Sequence, residues 1–238
     1  MAGHSAWKNI KHRKAAVDAK RGRIWSKCSR AIIVTARAGG GDVKFNASLR
    51  LAVLDAKAAN MPRDTIEKAI KKGAGGGDGE RFESVRYEGY GPGGVAMVVE
   101  GLTSNLNRTA AEVRTIFDKN GGKFGVPGSV VFSFIQKGVL LVPAPAIGED
   151  RMMEMAIEAG ADDVISTEEG FQVLTEPAKF GAVREAFDAA GIHPESAEIA
   201  FLPLSALQVD DETMIRIDKL VDTLEEHEDV QKVHTSVA

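Results

Sequence analysis

Between residues 139 and 202 the hydrophobic pattern breaks into six short segments, and their order limits the fold more than any other feature of the chain. Residues 139–142 read as a strand, 149–159 as a helix, 164–167 and 171–175 as strands, 178–190 as a helix and 197–202 as a strand. That is the β-α-β-β-α-β order of a split βαβ, or ferredoxin-like, unit. The flanking pieces repeat the theme incompletely. A strand at 95–100, a helix at 109–119 and a strand at 130–135 come before, and a helix at 212–226 and a strand at 230–235 come after. The economical reading is one α+β domain nested inside another. Gln136-Lys137-Gly138 and Glu169-Gly170 are expected to be the hairpin turns.

The first third of the chain has a different grammar. From about Arg13 apolar residues recur at helical steps, with Ile24, Cys28, Ala31 or Ile32, and Thr35 on one stripe. Gly39-Gly40-Gly41 ends that helix. Leu49, Ala52, Val53, Ala56 and Ala59 mark a second helix, broken at Asn60-Met61-Pro62. Pro62 suits the first turn of a third helix carrying Ile66, Ala69 and Ile70 inward. The glycine-rich run from Gly73 to Gly79 then reads as a flexible linker. The expected class is therefore α+β: an N-terminal three-helix domain followed by two α+β, ferredoxin-like domains, one inserted in the other. The expected domains are 1–80, then 81–136 with 204–238, and the insert 137–203.

The same linker marks a reversal of charge. Residues 1–80 hold 17 Lys/Arg against 7 Asp/Glu, whereas the remainder holds 13 against 27, so the net charge of −4 conceals a cationic end on an acidic body. Lys8, Lys11, Arg13, Lys14, Lys20, Arg21, Arg23, Lys27 and Arg30 fall within thirty residues, opposed there only by Asp18. A solvated helix face would mix signs. A nearly pure run of cations suits phosphates, each contact releasing a counterion. Residues 1–12 read as an extended arm, in which Trp7 and His4 could stack on unpaired bases. The candidate nucleic-acid contacts are His4, Trp7, Lys8, Lys11, Arg13, Lys14, Lys20, Arg21, Arg23 and Lys27.

Other chemistries find little support. Gly89-Tyr-Gly-Pro-Gly-Gly94 fits G-x-G-x-x-G as a string, but a strand follows it where a dinucleotide site needs a helix, and Pro92 lacks an N–H. The glycines at 73–79 lack the Lys-Ser/Thr of a P-loop. His4, His12, His193, His227 and His234 show no metal-ligand spacing, and Cys28 stands alone. Acidic pairs such as Asp162-Asp163 sit at turns or helix starts, where solvation and the helix dipole account for them. No nucleophile–base pair stands out. The expectation is no enzyme, no metal, no cofactor and no small-molecule substrate. No apolar run approaches the ~20 residues of a membrane span, and the N-terminus has no signal-peptide pattern, so a cytoplasmic protein with no membrane partner is expected.

The opening string from Met1 to Gly22, together with Gly39-Gly-Gly-Asp42, Asn60-Met-Pro-Arg-Asp64, Tyr87-Glu-Gly-Tyr-Gly-Pro-Gly-Gly94, Asn107-Arg-Thr109, Glu112-Val-Arg114 and Glu158-Ala-Gly-Ala-Asp-Asp163, closely resembles the YebC/PmpR family. The resemblance spans essentially the whole chain. Ala6 departs from it, standing where members commonly carry Lys. The resemblance implies a helical domain and two α+β domains, with no catalytic site and no required cofactor. Members have been described as DNA-binding transcriptional regulators and as ribosome-associated translation factors. The latter include the mitochondrial activator of cytochrome c oxidase translation and bacterial members linked to relief of stalled synthesis at proline runs. The motif begins at Met1, which points to a bacterial cytoplasmic member without an organellar presequence. Two binding functions follow as expectations: a ribosome-associated factor contacting ribosomal RNA, which the cationic arm suits better, and a DNA-binding transcriptional regulator. A protein–protein adaptor working through the acidic domains is a third, and it leaves the arm unexplained.

Overall fold

A computed structural model of the chain describes residues 21–75, 81–144 and 147–237. Among the described residues three helices come first: α1 (Arg21–Gly39), α2 (Ala47–Ala58) and α3 (Arg63–Ala74). Gly40, at φ +85°, takes the left-handed conformation that stops α1. Asn46 caps α2, its side-chain oxygen accepting the Leu49 N–H at 3.0 Å. Ile32, Ile33, Leu49, Val53, Met61 and Ile66 form the centre of a shared core. Gly73 is where α3 crosses α1 most closely, since a Cβ there would lie 2.5 Å from the Ile33 carbonyl oxygen. A larger residue would force the two helices apart.

Next come β1 (Glu83–Tyr90), β2 (Ala96–Thr103), α4 (Leu106–Lys119) and the short β3 (Lys123–Phe124). The chain then runs through β4 (Phe134–Pro143), α5 (Glu149–Ala159), β5 (Asp163–Thr167), β6 (Gly170–Thr175), α6 (Phe180–Ala189) and β7 (Ser196–Pro203). It closes with α7 (Asp211–Glu226) and β8 (Val230–Thr235). Two four-stranded sheets result, ordered β3-β1-β2-β8 and β5-β6-β4-β7. In the second, β4 pairs antiparallel with both β6 and β7, and β5 pairs antiparallel with β6. This is the split βαβ arrangement expected from the order of segments. The class is α+β, with three N-terminal helices followed by two antiparallel sheet-plus-helix parts.

Two expectations for the strands need correction, and one strand was not expected. Gln136-Lys137-Gly138 is no hairpin: β4 runs unbroken through it, with Gly138 opposite Thr175 on one side and Ile199 on the other. A Cβ on Gly138 would fall 2.6 Å from both the Phe180 ring and the Thr175 methyl, so the glycine serves close packing and not a turn. The strand expected at 130–135 is instead a 3₁₀ turn over Val131–Ser133, with β4 beginning at Phe134. β1 was missed because its short alternation, Val85 and Tyr87 between Ser84, Arg86 and Glu88, runs directly into the glycine-rich string from Gly89 to Gly94, which reads as a turn. The Glu169-Gly170 turn is where the sequence put it, with Gly170 at φ +150° opening β6.

By their contacts the described residues divide into two compact units. One takes Val131–Val209 and the chain from His234 onward; the other takes everything up to Val130 together with Asp210–Val233. The three helices and most of the first sheet therefore belong to one unit. No helix among the described residues is long and apolar enough to cross a membrane.

Candidate nucleic-acid interface

Of the candidate contacts, His4, Trp7, Lys8, Lys11, Arg13, Lys14 and Lys20 lie outside the described residues, as does the arm expected over residues 1–12. Arg21 belongs to α1, Arg23 and Lys27 follow on it, and Arg30 lies one turn further. These last three recur at helical spacing and are already engaged. Arg23 approaches the Glu226 carboxylate at 3.8 Å. Lys27 donates to the Glu225 carbonyl at 2.6 Å. Arg30 binds the Asp229 carboxylate at 2.7 Å and the Glu228 carboxylate at 3.0 Å, and its guanidinium lies over the Phe82 ring.

The sequence of α7 explains why. Its last turn carries no basic residue, and the chain leaves it through Glu225-Glu226-His227-Glu228-Asp229. Carbonyls beyond the reach of intrahelical donors, the negative end of the helix dipole and four carboxylates coincide there. The cations of α1 neutralise that end. Lys27 is largely desolvated by this arrangement: burial lowers its pKa to about 8, against the raising effect of Glu225.

Asp229 is the anchor. Its side chain is 1% exposed and accepts from Arg108 at 2.6 Å, Thr109 at 2.7 Å and Thr103 at 3.1 Å, besides Arg30. Burial alone would push this carboxyl up, but the hydrogen bonds from Thr109, Arg108 and Thr103 and the charge of Arg30 hold it below its usual value. The Asp229 N–H also donates to His227 Nδ1 at 3.1 Å, which leaves Nε2 to donate to Glu112 at 2.8 Å. Glu88 plays a similar local role, accepting the N–H groups of Gly128 and Val130 at 2.8 Å each. These carboxylates are structural pins.

The cations left available lie elsewhere on the helical part. Lys68, Lys71 and Lys72 share one face of α3, with Lys44 before α2 and Lys57 near its end. All five are exposed, and none makes an ion pair among the described residues. Arg63, by contrast, is held by Glu67 at 2.8 Å. Reading the first thirty residues for charge density missed these lysines. The signal was present, since three lysines in five residues at the end of an amphipathic helix cannot all be buried.

The rest of the surface offers little chemistry. Burial raises the Cys28 pKa to about 11, so its thiol stays protonated near neutrality. Among the described residues no three His, Cys, Asp or Glu side chains cluster as metal ligands. A shallow cleft lined by Ala111, Glu112, Thr115, Ile116 and His227 has almost no polar lining beyond the His227–Glu112 pair.

A cationic three-helix part followed by two α+β parts, with the acidic end of α7 held against the first helix, defines a composite α+β architecture. Residues 5–76 match the TACO1/YebC protein N-terminal domain and residues 82–237 match the TACO1/YebC second and third domain. The chain belongs to this family. It is 50% identical over 99% of its length, and 95% of the relative's, to a probable transcriptional regulatory protein of Rubrobacter xylanophilus. To another from Shewanella oneidensis it is 51% identical, covering 98% of this chain and 94% of that one. Among solved structures it is similar to a conserved hypothetical protein from Aquifex aeolicus, with TM-score 0.83 and 47% identity over 93% of this chain and 92% of the other.

Proposed function

We propose that this protein is a non-enzymatic, cytoplasmic, nucleic-acid-binding regulator of gene expression that acts on the ribosome through its RNA. The observation that carries the reading is the set of exposed, unengaged lysines on the helical part of a chain that is acidic overall. The names of its relatives support regulation of gene expression. The choice of RNA rests on side-chain inventory. Helices α1, α2 and α3 contain no Asn or Gln, the residues that pair with adenine edges in the major groove. Lysines on phosphates position a protein without reading sequence, and folded RNA is recognised largely by shape and by unpaired bases. In this reading His4, Trp7, Lys8 and Lys11 of the arm, with Arg13, Lys14, Lys20 and Arg21 after it, extend the same interface, and relief of stalled synthesis is the task it serves.

A second reading, DNA-binding transcriptional regulation, is favoured by the names of the relatives. Sedimentation of cell extract through a sucrose gradient separates the two. The protein is expected to travel with ribosomal particles and to leave them as salt rises. Sequence-selective binding to a promoter duplex, with no ribosomal association, would establish the second reading instead.

A further inference from the structure

Phe45 has no task in the fold. It immediately precedes Asn46, the cap of α2, where an apolar residue ordinarily packs against the fourth residue of the helix. That residue is Arg50, whose guanidinium donates instead to the carbonyls of Val43 and Lys44 at 3.3 and 3.2 Å. The ring is left 88% exposed. It joins none of the ring pairs found among the described residues.

The turn that carries this ring is firmly built. The Asp42 carboxylate accepts the Lys44 N–H at 2.8 Å, and the Asp42 carbonyl accepts from Phe45 and Asn46 at 3.2 and 3.0 Å. The Asn46 amide donates to Thr35 and Gly40 carbonyls at 2.8 Å each. Gly39 leaves room for that amide, since a Cβ there would lie 2.7 Å from its nitrogen. With the backbone of the turn fixed by these bonds, only the ring's own side-chain rotation remains to be ordered when something lies on it.

Its surroundings are cationic. Gly41 packs against the end of α3, where a Cβ would meet Ala74 at 2.9 Å and Ile70 at 3.3 Å. The last turn of α3 carries Lys71 and Lys72, and Lys44 adjoins Phe45 in sequence. Phe45 is also the one large apolar side chain strongly exposed among residues 21–75, so it belongs to no apolar patch of the kind a protein partner needs. A lone aromatic face beside free ammonium groups matches a base and its phosphates.

We propose that Phe45, with Lys44, Lys71 and Lys72, forms a stacking platform for an unpaired nucleobase and its flanking phosphates. This rests on the nucleic-acid reading above and sharpens it, because a base inside a duplex is already stacked and has no free face. The shared chemistry is an unpaired base, in RNA or in melted DNA.

The test uses the full chain and measures affinity, at one salt concentration and then across a salt series. The probes are an unstructured oligoribonucleotide, the same sequence as single-stranded DNA, and the corresponding RNA duplex. Phe45→Ala is expected to weaken single-strand binding about 5- to 150-fold and to leave duplex binding and the salt slope nearly unchanged. Phe45→Trp should retain single-strand affinity. Lys71→Ala with Lys72→Ala should weaken every probe and flatten the salt slope. Equal losses on the two single strands support the platform, and a loss confined to RNA supports it with an added 2′-hydroxyl contact. Unchanged single-strand binding by Phe45→Ala, with losses from the lysine variants, overturns the platform and leaves the nucleic-acid reading standing. Failure of the unaltered chain to bind any probe overturns both.

Discussion

Helix α1 carries Arg23, Lys27 and Arg30, and helix α3 carries Lys68, Lys71 and Lys72, three cations each at helical spacing. In the sequence the first group looks the stronger, embedded in a longer basic run. In the structure it is occupied: each member meets a carbonyl or carboxylate between Glu225 and Asp229. The α3 lysines face solvent with no ion pair among the described residues. Charge density in a sequence therefore overstates the charge available to a partner wherever an acidic segment, distant in the chain, folds back onto it. Here the segment lies about two hundred residues away, at the other end of the same compact unit.

The sharpest way to break the comparison is to remove the anchor. Asp229→Ala leaves Arg30 with Glu228 alone and removes the shared acceptor of Arg108, Thr109 and Thr103, and is expected to lower stability by about 3 kcal/mol, the lower end of what breaking a buried pair costs. Urea unfolding of the variant measures this. A loss below about 0.5 kcal/mol would mean the α1 cluster is no tighter than a surface pair. The pH dependence carries a second signature. Since the Asp229 carboxyl is held below its unfolded value, its stabilisation is complete above about pH 4 and is lost as pH falls through its folded pKa. The variant should be correspondingly less sensitive to acid.

Replacing Lys68, Lys71 and Lys72 together by Ala acts on the other side. Stability should barely move, because exposed side chains with no partner hold nothing in place. Affinity for RNA should fall on the order of 100-fold near physiological salt, with the salt slope reduced by up to about three contacts. A full-strength variant would remove α3 from the interface and return the whole burden to the N-terminal arm.

Gly138 shows how far the sequence could be read. The β-α-β-β-α-β order was visible because each segment has its own period, and the resulting sheet has the expected strand order. What misled was a glycine inside a strand pattern, which resembles a turn until the Phe180 ring is seen lying against it. Local pattern carries no information about which side chain will arrive from forty residues away. Gly138→Ala is expected to cost about 1–3 kcal/mol through overpacking, measured by thermal or urea unfolding. A neutral effect would mean that Phe180 yields easily. For the proposed interface the sequence shows the basic composition of the first third but not the exposure of Phe45. Its exposure depends on Arg50 turning back to two carbonyls instead of stapling the ring.

The smallest expected effect concerns Lys27 and tests whether the α1 cluster is truly desolvated. Burial lowers its pKa to about 8, well under the unfolded value near 10.4. Between those two values the unfolded chain binds a proton that the folded chain does not. Stability from this group should therefore rise as pH climbs from about 8 to 10.4 and level off above it. Lys27→Met keeps the long apolar stem, removes the titration and should flatten that slope. At pH 7 the variant should lie within about 1 kcal/mol of the unaltered chain, because the lost bond to the Glu225 carbonyl is offset by no longer burying an ammonium group. Nucleic-acid affinity should be almost unchanged, since the side chain is committed within the fold. Chemical denaturation at a series of pH values, paired with one binding isotherm, reads both quantities. A retained slope would mean another group titrates there, and a large loss of affinity would show that Lys27 leaves α7 to reach a phosphate.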